Sequence, residues 1–363
     1  METIFLPAYC VDRKAIEQSA GLLGKYGHKA IVIGGRQAFC AALEKVKEAC
    51  VKSGVQIAAE EWYGGECTYG HMERLAAIAR EKSADLVIGV GGGKALDTAK
   101  GCAAKLGVPV ITMPTIAATC AAVTAISVVY DENGVFVESM FHAAPPALAV
   151  IDLGIIAGAP ERYLRAGMGD ALAKHVESML ASRGRILSHT CTLAVTIGQT
   201  SFDPLLQYGL EAMEDARRGE ATEALRQVVL SNIVSTGLVS LLIEEIYNGA
   251  VAHALFYGLT RLPDFEHHCL HGDAVGYGVL VQQMLDGKMD SFRELRSFAG
   301  KLGMPVTLKE TGFEMTDEVL EAVVPAALKA LSDARVMPYE ISYEQLAQAL
   351  RAVESYQEEG EDK

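Results

Sequence analysis

A chain of 363 residues, half of them hydrophobic, can bury a large core, and at roughly 150 residues per domain it has room for about two domains. A formal charge of −14 argues against a general nucleic-acid surface, which needs a basic footprint, so any anionic ligand must be held locally. With no uninterrupted apolar run of spanning length, and no basic region leading into an apolar one, the expectations are a cytoplasmic protein with no membrane partner.

Taken in chain order, strands are expected near Ile31–Gly34, Val55–Glu60, Leu86–Val90 and Val108–Met113, and helices near 13–26, 37–52, 68–82 and 94–106. This alternation predicts βαβ units and a parallel sheet covered on both faces. Asn133-Gly134 between two β-prone runs reads as a hairpin, and Ala147–Ile151 as a last strand. Beyond Pro160 strand signals nearly vanish, and amphipathic periods take over at 171–180, 221–245, 274–285, 316–331 and 343–353. Two domains are therefore expected, an α/β Rossmann-like domain over 1–159 and an all-α domain over 160–363, with the acidic tail 358–363 solvated and frayed. The eight cysteines stand singly without a C-x-x-C pair, which favours reduced, mostly buried thiols, with Cys40, Cys50 and Cys102 on helical apolar stripes.

The most informative segment follows the strand ending at Val90: Gly91, Gly92 and Gly93 stop it, and a helix begins at Lys94. Glycines let backbone approach an anion, and the helix start offers free N–H groups and the positive end of its dipole. Lys94 can reach phosphate, and Asp97 can accept from a ligand hydroxyl, although an acid in a first turn also serves simply as a dipole partner. Met113-Pro114-Thr115 and the residues to Thr119 follow another strand end, where open α/β sheets bind ligands. At the end of the earlier strand, Gly34-Gly35-Arg36 lacks the acid that accepts from an adenosine ribose, and an arginine there suits a 2′-phosphate; the bland alternative is a solvated loop arginine.

Four histidines cluster between 253 and 271. His253 lies in a small, apolar helical segment, where a lone histidine is usually a satisfied core residue. His267 and His271 are spaced i, i+4, so the pair His267/His271 competes with His253/His271 as two legs of a metal site, and spacing does not choose between them. Asp170, preceded by Gly167 and Gly169, offers a carboxylate in an N-cap-like place, where plain capping is an equal reading. Two imidazoles, a carboxylate and an open position would make a Lewis-acid site.

The ordered motifs GGGKALDTAK, PTIAATC, GMGDALAK, AHALFYGL and HGDAVGYG resemble, over essentially the whole chain, the iron-containing (group III) alcohol dehydrogenases and their glycerol dehydrogenase branch. The resemblance implies a dehydroquinate synthase-like fold, an NAD or NADP site in the N-terminal half, and a cleft shared with a helical half. It implies one divalent metal, Zn²⁺ or Fe²⁺, on Asp170, His253 and His271, which would also be the catalytic and substrate-contacting set. It carries cofactor contacts onto Gly93, Lys94, Asp97, Thr115, Ala118, Thr124, Ile126 and Tyr130, beside Gly92 and Arg36 from the reading above. A homo-oligomer is the expectation for assembly. Two departures stand out. Similar glycerol dehydrogenases carry a substrate-contacting aspartate at the end of P-T-I-A-S-T-D, where this chain has Cys120, and the ribose-binding acid is missing at Gly35-Arg36. Both features resemble the hydroxycarboxylate dehydrogenase A branch, which reduces 2-oxo acids with NADPH. An anionic substrate is easier to hold once a negative charge has left the pocket. The expected activity is therefore hydride transfer between a small alcohol or 2-hydroxy acid and its carbonyl form, leaning to 2-oxo acid reduction with NADPH. Glycerol or vicinal-diol oxidation with NAD is the alternative. An NAD-dependent sugar-phosphate cyclase, or a non-catalytic NAD(P)-binding protein, is the more distant one.

Overall fold

The computed structural model describes residues 4–357; the tail expected to be frayed lies outside them. Contacts gather the chain into two units, one of the segment up to Leu164 with Glu211–Leu241, the other of Arg165–Leu210 with the chain from Leu242. The sheet unit thus draws in a helical segment from beyond the boundary expected at 159/160.

In the first unit β1 (Tyr9–Asp12) leads into the short α1 (Ala15–Gln18), followed by β2 (Lys29–Gly34), α2 (Arg36–Lys52), β3 (Gln56–Trp62) and α3 (Tyr69–Glu81). Next come β4 (Leu86–Gly91), α4 (Gly93–Leu106) and β5 (Val110–Pro114). An antiparallel hairpin of β6 (Ile126–Tyr130) and β7 (Phe136–Phe141) follows, then β8 (Leu148–Asp152) and α5 (Leu153–Ala157). Six strands form one parallel sheet in the order β1-β8-β5-β4-β2-β3. Its inner strands are apolar on both faces: in β2, Ala30 and Val32 join a core with Val46 and Ala49 of α2, while Ile31 and Ile33 join Leu75, Ala99 and Cys102 of α3 and α4.

The chain direction across the sheet reverses between β2 and β4, since β2 passes to β3 on one side and the later strands build on the other. The carboxyl ends of β2 and β4, aligned as Gly34 opposite Val90, therefore flank the switch point where such sheets bind ligands.

Two expectations in this half are corrected. The helix expected over 13–26 is only α1 and two 3₁₀ turns, Ser19–Gly21 and Leu23–Lys25, in a stretch where Gly21 and Gly24 weaken the helix and Gly24 lies so close to Ser53 that a Cβ there would stand 2.5 Å from its carbonyl oxygen. Cys40, expected on a buried stripe, is exposed, whereas Cys50 and Cys102 are buried, and none of the eight cysteines is joined in a disulfide.

The helices continue with α6 (Glu161–Ala181), α7 (His189–Arg218, containing Pro204), α8 (Glu223–Leu230) and α9 (Thr236–Leu242). The period expected over 221–245 is α8 and α9 joined by a π turn, Ser231–Ser235. Glu223–Leu242 is long and apolar enough to cross a membrane by length and composition, yet 56% of its most apolar window is buried inside the protein. Then come α10 (Val251–Leu259), α11 (Phe265–His268), α12 (His271–Leu285), α13 (Met289–Leu302), α14 (Asp317–Ala334) and α15 (Tyr343–Ser355). Among the described residues no strand follows Asp152.

Candidate functional site

The glycine loop lies at the switch point of the first unit. Gly91 ends β4 with φ 148°, a conformation that favours glycine, and Gly92 is the N-cap of α4 without a side-chain cap. Its helix-terminal N–H groups are thus left for a ligand. Lys94 is exposed, paired with Glu66, and its Nζ lies 4.8 Å from the Tyr130 ring, so two expected cofactor positions meet here. Thr115 donates its N–H to Gly91 O at 3.1 Å, binding the loop after β5 to the end of β4. At the end of β2, Arg36 opens α2 and its guanidinium sits 4.9 Å from the ring of Trp62, the chain's one tryptophan.

Asp97 is found in a different setting from the other expected contacts. It is buried; Oδ2 accepts from Val128 N–H at 2.9 Å, and Oδ1 lies 2.8 Å from the ammonium of Lys100. Burial pushes its carboxyl up, against the pull of Lys100. Lys100, which the sequence reading passed over, also donates to Ala121 O at 2.9 Å, Thr124 O at 3.2 Å and Ile126 O, so one buried ammonium folds the loop that carries Cys120, Thr124 and Ile126. The available signal was an Asp–Lys pair at i, i+3 on an otherwise apolar helix. From another direction Asn232, in the π turn, donates to Ala117 O at 3.0 Å, beside the expected contact Ala118.

Three helices of the second unit build the other centre. Asp170 on α6, His253 on α10 and His271, the first residue of α12, place one ligand atom each within 4.8 Å of one another. Asp170 Oδ1 lies 3.4 Å from His253 Nε2 and 3.8 Å from His271 Nε2. Burial would raise the Asp170 carboxyl, but the two imidazoles facing it hold it well below the usual carboxylate range. His253 Nδ1 lies 2.5 Å from Glu177 Oε2, a buried carboxylate. One carboxylate oxygen and two imidazole nitrogens converging on one point are the donor set of a divalent transition-metal site, and the carboxylate behind His253 is the support such ligands commonly have. The residues fit a metal.

Two readings of this region are corrected. Asp170 does not cap a helix; it lies inside α6, and Gly169 before it serves packing, since a Cβ there would stand 2.0 Å from Gly272 O. His267 and His271 share no helical face, because α11 ends at His268 and α12 starts at His271. The His267 side chain is 83% exposed and pairs with Asp264 at 3.6 Å, apart from the cluster.

One unit with a parallel sheet and a glycine loop at its switch point, and another with a three-ligand metal centre, fit a metal-dependent dehydrogenase of the alcohol class. The profile of iron-containing alcohol dehydrogenases matches residues 7–153. Glycerol dehydrogenase from Thermotoga maritima is 37% identical over 303 residues, 81% of each chain. Hydroxycarboxylate dehydrogenase A from Escherichia coli is 34% identical over 330 residues, 90% of each. The crystal structure of glycerol dehydrogenase from Schizosaccharomyces pombe superposes with a TM-score of 0.87 at 31% identity, covering 98% of this chain and 91% of that one. The chain belongs to the iron-containing alcohol dehydrogenase family and is a glycerol dehydrogenase-like oxidoreductase within it.

Proposed function

We propose that the protein interconverts a small 2-hydroxy acid and its 2-oxo form, working chiefly as an NADPH-linked reductase, with Asp170, His253 and His271 holding one divalent metal, Zn²⁺ or Fe²⁺. The observation that carries the cofactor choice is Arg36, placed at the end of β2 and stacked on Trp62, with no acid beside it in Gly34-Gly35-Arg36. A guanidinium braced on an indole face presents its N–H fork in a fixed plane, which suits a phosphate. When bound, the metal would supply a Lewis acid for the substrate oxygen and the dinucleotide would supply the hydride.

The chain's own residues do the rest. Gly92 and Gly93 with the N-terminus of α4 cradle the pyrophosphate, and Lys94 adds a cation there. Thr115, Ala118, Thr124, Ile126 and Tyr130 shape the remaining dinucleotide surface, and Asp97 acts through Lys100 and Val128 on the loop and hairpin that carry them. Asp170 offers a buried negative charge that balances a bound cation. Cys120 is a half-buried thiol where similar glycerol dehydrogenases carry an aspartate, an exchange compatible with a substrate carboxylate.

Glycerol or vicinal-diol oxidation with NAD is the second reading, favoured by the 37% identity to a glycerol dehydrogenase. A panel of 2-oxo acids, aldehydes and polyols, assayed with NADH and NADPH under Zn²⁺ and under Fe²⁺, decides between them. NADPH-linked 2-oxo acid reduction as the best activity is the expected result; glycerol oxidation with NAD⁺ as the best activity overturns the proposal. Substituting Arg36→Ala should raise KM for NADPH roughly ten- to a hundredfold, the worth of a charged hydrogen bond, and leave KM for NADH nearly unchanged.

A further inference from the structure

The helix carrying His253 starts without a cap of its own. Its N-cap is Ala250, which has no side-chain acceptor, and Ala250 and Val251 are buried, so water does not reach their N–H groups. Buried, unpaired donors of this kind are costly. They are satisfied by side chains from two other helices. Glu177 Oε1, on α6, accepts from Ala250 N–H at 2.7 Å and from His253 N–H at 2.8 Å. Gln282 Oε1, on α12, accepts from Val251 N–H at 3.0 Å, and its amide donates to Val176 O at 3.1 Å. The capping helices are thus the two that bear Asp170 and His271.

We propose that Glu177 is the positioning residue of the metal centre: one oxygen caps the helix that bears His253, while the other takes that histidine's Nδ1 proton in a hydrogen bond and turns Nε2 towards Asp170. An ionised carboxylate only accepts, so Nδ1 carries the hydrogen and Nε2 is left as the ligand atom. Glu177 follows Asp170 by seven residues on one helix, so the ligand and the group that orients its partner share a face. Seating α10 and aiming His253 are then a single event. The proposal rests on the metal-dependent reading of Asp170, His253 and His271.

Its test uses the full chain stripped by chelator, titrated with Co²⁺ and followed by the cobalt absorption bands, with Zn²⁺ competition against a chromophoric chelator. Wild type is expected to bind one ion; failure to do so sinks the metal-dependent reading itself. Glu177→Gln should bind roughly ten- to a hundredfold more weakly, with altered cobalt bands, as expected when the support of a ligand is lost. Gln282→Leu removes a cap bond but leaves the Glu177–His253 pair, so it should lower thermal stability while metal affinity stays near wild type. Wild-type affinity and bands in Glu177→Gln, or an equal loss in Gln282→Leu, would overturn the proposal. Should Glu177→Gln not fold, ¹⁵N-histidine NMR of the zinc-loaded wild type decides instead: His253 bound through Nε2 with its hydrogen on Nδ1 supports the proposal, and binding through Nδ1 refutes it.

Discussion

The Lys100 side chain lies in the interior of the first unit, only 2% exposed, beside Asp97 and three carbonyl oxygens of residues 121–126. Breaking such a pair from one side strands the other charge, at a cost of about 3–5 kcal/mol. Lys100→Met should therefore lower the melting temperature markedly and weaken dinucleotide binding. Adding Asp97→Asn should recover part of the stability, and a double-mutant cycle by thermal denaturation reads the coupling. Nearby, His142 bonds Ser127 Oγ through Nε2 at 2.8 Å, and burial, aided by Lys100, pushes its pKa down to about 4 from an ordinary 6.5. The unfolded chain takes up this proton near pH 6.5 and the folded one only near pH 4. Stability is thus intact above pH 6.5 and falls as pH drops through that window, by at most about 3 kcal/mol. Melting curves across pH should flatten in His142→Asn; an unchanged slope would rule this out.

The α6–α12 contact is the element on which the metal centre depends most. A Cβ on Gly272 would lie 1.7 Å from Ala166 O, so Gly272→Ala must force the helices apart. The expected result is a loss of at least the ~1–3 kcal/mol typical of overpacking, together with loss of cobalt binding. Retained binding in a destabilised variant would show that the ligands tolerate the shift. These same glycines mark where sequence reading stopped. Gly167 and Gly169 looked like the prelude to a helix beginning near 171, because a glycine chosen for interhelical contact is indistinguishable, in one dimension, from one chosen to interrupt a helix. The βα alternation of the first half was readable because β2, β4, β5 and β8 are almost wholly buried apolar runs and α2 and α3 bury one face each. β1 escaped because it is four residues at a sheet edge with Tyr9 45% exposed. α7 escaped because Gly198, Pro204, Gly209 and its Ser and Thr residues dilute the helical period. The ligand set was visible as residue types and the family resemblance implied His253, but helical spacing alone admitted His267, and the break at Cys269–Leu270 that separates His267 from His271 is one no periodicity reports.

Across the whole molecule, the ligand centre and the glycine loop fall in different contact units, each with its own covalent segments. A ligand that binds only the folded state adds about 2.7 kcal/mol at a hundred times its Kd, so each should protect the unit that holds it. In hydrogen exchange, Zn²⁺ added to stripped protein should slow amides around Asp170, His253 and His271. NADPH should slow those around Gly34–Arg36, Gly91–Lys94 and Thr115–Tyr130. Equal protection of both sets by either ligand alone would mean that the two units open together. One consequence reaches beyond a single protein. At Gly169, Gly272 and Gly276 the helices bearing Asp170 and His271 meet backbone to backbone, with no side chain between them. The spacing of those two ligands is then inherited as a property of the main chain, and mutations elsewhere on either helix can accumulate without resetting it. Descendants of this scaffold are free to trade substrates long before they can trade the geometry of the ion.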